Sequence, residues 1–526
     1  MKRDFKAEPP RVETDISLSV KALLDRIFDG YSAQFPTLVM LATGTISEGV
    51  EDLSDASLKS WAEKLESYSV EIARLAGQLQ FLTPIDRAVV AEIQRFLFRQ
   101  LLAYRQRIFI TKAASSYQLI CFALLPYYLR SQINIHDQSP EILNELRFKL
   151  YRCIDILDLM MKRVDQGITS HTKKDRQLAS MIATSIQKWS ALPEDLANAL
   201  LSRLRKLAQT EGKETPLEAT DTDSYLRDIL GITAGPLQIV QALFSMMEEE
   251  LLGLPEELRR SESLQKIQRP TSLGSHDQVF DQVFILLSEK TKGVFLDTTS
   301  AKRPLCLVAP ELISPFVLDA LYLPLHGEGS IEDPSGALLV NPIYLNPNTM
   351  SLAGLALIMA HEIVPGHREQ HRRWMQLPFS KLFSITRSPL GFEGWASHAE
   401  SAVLELTEQD NRVQRAFKLQ RIRRLTTVLL GLTNGRAEPV LNRILSNLPV
   451  HIRDELLGIA KRMSGVFHQM LPYTWGLYET KTTLSSIKSA YALSDAKAHE
   501  LYLTLGPLHP QSIKAILEAV VKGWYS

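Results

Sequence analysis

Leu352-Ala353-Gly354-Leu355-Ala356-Leu357-Ile358-Met359-Ala360-His361-Glu362-Ile363-Val364-Pro365-Gly366-His367 is the stretch from which the rest of the chain is read. Leu352, Leu355, Ile358 and Met359 recur at helical spacing, so they form the buried side of a helix that begins after Asn348 and carries His361 and Glu362. Zinc-binding helices usually space their histidines four apart, which puts both on one face. Here the spacing is six. At about 100° per residue the second imidazole would lie about 120° away from the first, so both reach one ion only if the helix breaks between them. Pro365-Gly366 supplies the break, proline by removing a helical donor and glycine by its conformational freedom.

Working outward, Glu393 lies 26 positions beyond His367, a separation that lets an antiparallel helix return its first turn to the same place. It is the candidate third ligand. Glu400, seven residues further on and on the same helical face, is placed to hydrogen-bond a ligand histidine from behind. His361, His367 and Glu393 would hold one Zn2+ per chain with one side open, and Glu362 would be the general base acting on water. Nitrogen and oxygen ligands suit zinc without excluding manganese or cobalt. His371 and His398 read as surface or supporting groups.

The remaining composition sets bounds. With 59 Lys+Arg against 59 Asp+Glu, no excess charge directs the chain to nucleic acid or an anionic membrane. Cys121, Cys153 and Cys306 are far apart and odd in number, which suggests a reducing compartment rather than a disulfide framework. The opening MKRDFKAEPPRVETD lacks the apolar core of an export signal, and the apolar run Leu352 to Ala360 is far short of a membrane span. A cytoplasmic location is expected.

Helical periodicity dominates the first half, as at Leu24, Ile27, Phe28 and Tyr31 and again at Val89, Ile93, Phe96, Leu97 and Leu101. The expected fold is mainly α: a large multi-helix body with a deep cleft and a small β element beside the metal helix. Residues 15–290 are expected to form an N-terminal helical region and 291–526 the metal-binding catalytic region. Leu305 to Val308 and Ala337 to Val340 look strand-like, and Gly336 to Pro342 is the candidate edge strand along which an extended peptide could lie. A sheet that merely braces the lobe is the alternative.

HEIVPGHREQ, ending at Gln370, and FEGWASHAE, ending at Glu400, together resemble the DUF 885 family, uncharacterised bacterial zinc-peptidase-like proteins with HE-x-x-PGH-x-x-Q and EGWA-x-x-AE motifs. Downstream, Tyr473 to Gly476 and His499-Glu500 with Gly506-Pro507-Leu508 look like the family's Tyr-x-x-Gly and His-Asp…Gly-x-x-Pro elements. The resemblance implies a helical fold with a deep cleft, similar to helical zinc carboxypeptidases and oligopeptidases. It also implies Gln370 and Glu400 as residues behind the ligands, and Tyr473 and His499 as donors to the oxyanion. The chain departs from the pattern at Leu429, Gly431 and Thr433, where the family's Asp-x-Gly-x-His would place two ionisable groups, and at Glu500, where aspartate is usual. That marks a divergent member.

The expected activity is zinc-dependent hydrolysis of short peptides. A non-peptide amide of a small metabolite is the alternative substrate, and a helical scaffold without catalysis the alternative class. Arg387, Arg421, Arg423 and Arg424 are candidates for a clamp on a terminal carboxylate.

Overall fold

The computed structural model describes residues 15–43, 49–78, 80, 82–107, 112–133, 140–212, 222, 225–254, 276–292, 294–295, 303–317, 319–324, 336–342, 352–386, 388–406, 411–506 and 508–525. Arg387, Asn348, Pro507 and most of the polar interval before His276 lie outside them.

The fold is mainly α. In chain order the helices of the first half are α1 (Leu18–Gln34), α2 (Pro36–Thr43), α3 (Asp55–Ala76), α4 (Pro84–Arg105), α5 (Ala113–Ile133), α6 (Pro140–Asp165), α7 (Lys173–Lys188), α8 (Glu194–Gln209), α9 (Pro236–Leu252) and α10 (His276–Thr291). Local signals start several of them. Thr83 caps α4 and Asp86 reaches back to the Thr83 N–H, with Pro84 in the first turn; Thr172 and Asp175 repeat that reciprocal cap on α7.

A three-stranded sheet follows, β1 (Leu305–Val308), β2 (Ala320–Leu323) and β3 (Ala337–Val340), in the order β1-β3-β2. β3 runs parallel to β1 and antiparallel to β2. The expected edge at Gly336 to Pro342 is therefore wrong: β3 is the central strand. All four of its side chains are buried, so Ala337-Leu338-Leu339-Val340 is covered on both faces, and an unbroken apolar run without alternation is what such a strand requires. β2 is the edge nearest the motif helix, and its Tyr322 N–H donates to Glu362 Oε2 at 3.0 Å.

The second helical series comprises α11 (Leu352–Glu362), α12 (His367–Trp374), α13 (Lys381–Ile385), α14 (Pro389–Leu406), α15 (Asn411–Leu432), α16 (Glu438–Ile444), α17 (Val450–Met463), α18 (Phe467–Tyr491), α19 (Asp495–Thr504) and α20 (Pro510–Tyr525). The apolar cores do not follow the expected division at 290/291. One core joins Leu23, Ile27 and Phe96 of the N-terminal helices to Trp395, Tyr502 and Ile513 of the C-terminal ones. Another joins Leu243 and Met247 of α9 to Ile422, Leu441 and Leu471. A third unites α5 to α8 with Leu323 and Leu339 of the sheet. The motif helix α11 is held between α10, α14, α15 and β2, so both halves brace it.

Candidate metal centre

α11 ends at Glu362, the chain turns through Ile363 to Gly366, and α12 restarts at His367. The break that the histidine spacing demands is present. Gly366 keeps a negative φ of −75°, so freedom to adopt positive φ is not the reason for glycine; a Cβ there would overlap the His361 carbonyl oxygen. Trp395, the largest fully buried side chain, fixes the turn by donating its indole N–H to the Pro365 carbonyl at 2.9 Å.

The turn brings the imidazoles of His361 and His367 to 4.7 Å between ring centres, nearly perpendicular. Glu393, in the first turns of α14, completes a cluster in which one ligand atom from each residue lies within 4.8 Å of the others. Glu393 Oε2 is 3.3 Å from His361 Nε2 and 3.5 Å from His367 Nε2. Each histidine is oriented from behind. His361 Nδ1–H donates to Glu400 Oε1 at 2.8 Å and His367 Nδ1–H to Gln370 Oε1 at 2.9 Å, which leaves both Nε2 atoms facing Glu393. Gln370 is itself held by donating to the Gly391 carbonyl.

The electrostatics are those of a buried anionic site. Burial alone would lower the His361 pKa, but Glu393 and Glu400 outweigh it and raise it to about 10. Burial would likewise raise Glu393, yet its hydrogen bonds to the two histidines hold it far below the usual carboxylate range. Glu400, with burial opposed by Arg424 and His361, is held at about 2. Glu362 goes the other way, raised chiefly by burial. A field that draws a proton onto His361 against desolvation also attracts a cation to the same point.

Tyr473, on α18, stacks on His361 at 5.6 Å and hydrogen-bonds Glu393; burial keeps its phenol protonated. Arg424 packs over the Tyr473 ring at 4.7 Å and donates to Glu400 Oε2 at 3.3 Å, tying the two together. The structure does not bring His499 to this place. It lies on α19 behind α14, stacked on Phe295, with one ring nitrogen bonded to the Val294 carbonyl and the other 2.9 Å from His398 Nε2. His398 is thus a partner of His499, while His371 lies against the site. Of the clamp candidates, Arg421 is engaged by Glu250 and Ser397, Arg424 by Glu400, and Arg423 lines the cleft. Leu429 and Leu430 belong to an apolar core and Gly431 packs against the Phe467 ring, so the stretch that departs from the family pattern is a packing element here.

Two further features escaped sequence reasoning. Phe392 stacks on His367 at 3.7 Å, a contact that its place beside Glu393 could have suggested. α14 and α18 cross at Gly394 and Gly476, where a Cβ on Gly394 would overlap the Gly476 carbonyl. The glycines of EGWA and Tyr-x-x-Gly therefore face each other. The centre opens into a wide chamber of about 520 Å³ on one side and a narrow one of about 160 Å³ on the other, which share Ala320, Glu362 and Tyr473.

The fold has solved counterparts. A "putative lipoprotein" from Colwellia psychrerythraea aligns with a TM-score of 0.61 at 14% identity, over 96% of this chain and 99% of that one. A "putative lipoprotein of unknown function" from Shewanella oneidensis aligns with a TM-score of 0.60 at 14% identity, over 94% and 98%. Likeness at that identity concerns the fold alone. No family model and no curated protein matches the chain. No described helix is long and apolar enough to cross a membrane.

Proposed function

We propose that this chain is a metal-dependent hydrolase of short peptides or small amides and a divergent relative of the DUF 885 proteins, with His361, His367 and Glu393 as ligands of one zinc ion. The observation that carries the reading is the convergence of those three ligand atoms within 4.8 Å, beside a second carboxylate, Glu362. The residues fit a cation. Both imidazoles have their Nδ1 atoms engaged from behind, and the Glu393 Oε2 faces both Nε2 atoms, at 3.3 and 3.5 Å. One glutamate and two histidines suit zinc.

When bound, a divalent ion supplies Lewis acidity to a substrate carbonyl and lowers the pKa of water. Glu362, anchored through Oε2 by the Tyr322 N–H, takes the proton of the attacking water at Oε1 and returns it to the leaving nitrogen. Tyr473 donates its O–H to the oxyanion, in a position fixed by His361 and Arg424. His499 has no part in this scheme, because it lies behind α14. His361 and His367 are buried, so a thin, flexible chain reaches them more readily than a folded surface. The three cysteines are buried and unpaired, which accords with a reducing, cytoplasmic setting as part of the same reading.

The test is zinc content by mass spectrometry together with hydrolysis of a di- to pentapeptide panel. About one zinc per chain is expected, lost in His361→Ala, His367→Ala and Glu393→Ala, while Glu362→Gln keeps metal and loses hydrolysis. Protein that takes up no zinc when it is supplied would refute the reading.

A further inference from the structure

On α15 the residues Gln420, Arg423, Arg424 and Thr427 line the wide chamber and recur at three- and four-residue spacing, so one face of that helix forms a wall of it. α11 and α17 form two others, and their contribution is largely apolar, as at Leu357, Ile358, Ile452, Leu456 and Ile459. Along α11 the wall runs from Gly354 to His361. Seven residues of helix at 1.5 Å each span about 10 Å, the length of about three residues of extended chain.

Two guanidinium groups stand in the α15 wall in different states. Arg424 is committed: it donates to Glu400 Oε2 at 3.3 Å and covers the Tyr473 ring. Arg423, the next residue, is half-buried, and its guanidinium has no hydrogen-bond or ion-pair partner among the described residues. Unlike Arg421 Nε, which is buried without a partner, the Arg423 nitrogens remain open to solvent. Two acids, Asp319 and Glu455, also line the chamber, but Asp319 acts on Arg424, Glu455 is exposed, and neither pairs with Arg423. Arg423 thus presents a planar set of donors, partly withdrawn from water, to a largely apolar space.

We propose that Arg423 is a specificity-determining residue that receives a carboxylate of the substrate, either the C-terminal carboxylate of a short peptide or the side chain of an aspartate or glutamate within it. As a statement about which substrates are cut this rests on the hydrolase reading; as a statement about what the chamber binds it stands apart from it. Guanidinium and carboxylate meet through two parallel N–H···O bonds, a geometry that a neutral amide cannot reproduce. The chamber extends about 10 Å from His361 along α11, so no more than about three residues separate the carboxylate from the bond to be cut. Where the chain terminus is the source, the piece removed is short.

The experiment titrates three acetylated peptides by calorimetry: Ala-Leu-Leu as the free acid, the same peptide as its C-terminal amide, and amidated Ala-Leu-Glu. The proteins are zinc-loaded Glu362→Gln, which leaves the peptides intact, and metal-free wild type. At least one carboxylate peptide is expected to bind about 10- to 100-fold more tightly than the plain amide, the discrimination one charged hydrogen bond gives, with and without zinc. The free acid alone showing the gain assigns the chain terminus; the glutamate peptide showing it assigns the side chain. Arg423→Gln should bring the ratio to about one with amide binding and zinc content unchanged, and Arg423→Lys, which keeps the charge without the fork, should retain part of it. A ratio near one for both carboxylate peptides, a preference that survives Arg423→Gln, or one that needs zinc, as a carboxylate seated on the metal would, each overturns the proposal. If binding behaves as expected and wild type cuts none of the peptides, the Arg423 site stands and the hydrolase reading fails; if they are cut with no Arg423-dependent preference in kcat/KM, the reverse holds.

Discussion

Replacing Glu479 with glutamine should make the protein more stable, by a gain that grows as pH rises from about 4.5 to 7. Glu479 is buried on α18, six residues beyond Tyr473. Its Oε1 accepts from Trp475 Nε1 and Gln511 Nε2, both at 2.9 Å; Oε2 has no hydrogen-bond partner among the described residues and faces His509 Nε2 at 3.7 Å. Burial raises its pKa from 4.5 to about 7. A carboxyl whose folded pKa is raised contributes stability that is fully present below the unfolded value and lost as pH rises through the folded one. The window is therefore about pH 4.5 to 7, and the loss over it is about 3 kcal/mol at most, from a shift of about 2.5 units at 1.36 kcal/mol each. Glutamine keeps an acceptor for both donors and cannot ionise. His509, lowered to about 4 mainly by burial, titrates in both proteins and so largely cancels from the difference. Urea denaturation of wild type and Glu479→Gln should give similar stabilities near pH 5 and a gain for the variant of up to about 3 kcal/mol at pH 8.5. A difference that is flat across that range, or a variant less stable at pH 8.5, would show that burial does not govern this carboxyl.

Two other perturbations address the centre. Gly366→Ala should lose zinc at any practical concentration, because the added Cβ overlaps the His361 carbonyl oxygen and must open the turn that pairs the histidines; retention of one zinc per chain would contradict this. Glu400→Gln should weaken zinc affinity by about 10- to 100-fold while leaving one site per chain, since it removes the charge behind His361 and the partner of Arg424; competition with a chromophoric chelator measures it, and an unchanged affinity would sink the assigned role.

The centre was legible wherever its geometry is local. The break at Pro365-Gly366 follows from a six-residue histidine spacing, and Glu400 shares a face with Glu393 because seven residues make nearly two helical turns. What depended on packing between distant segments was not legible. His499 sits in a motif-like stretch, yet the direction in which α19 presents it is decided by its packing against Phe295 and Trp395, far away in sequence. The rank of β3 within the sheet was misjudged for the same reason, as neighbours on both sides come from other segments. Residue 290 looked like a boundary because composition changes near it, whereas the cores joining α1 and α4 to α19 and α20 leave no trace in composition. The narrow chamber was invisible because α2, β2, α12 and α13, far apart in sequence, each contribute no more than three residues to it.

The crossing of α14 and α18 at Gly394 and Gly476 has a consequence for how such a chain can change over time. Gly394 follows Glu393 directly and Gly476 stands three residues after Tyr473, with bare backbone against bare backbone between them. The gap between carboxylate and phenol is thus set by main-chain thickness, a dimension that no substitution can reduce and that any side chain would widen. Neither glycine can be exchanged alone, and a bulkier residue at one has no smaller residue left to compensate at the other. The lining of the two chambers can drift toward new substrates residue by residue, while this spacing is inherited whole or lost.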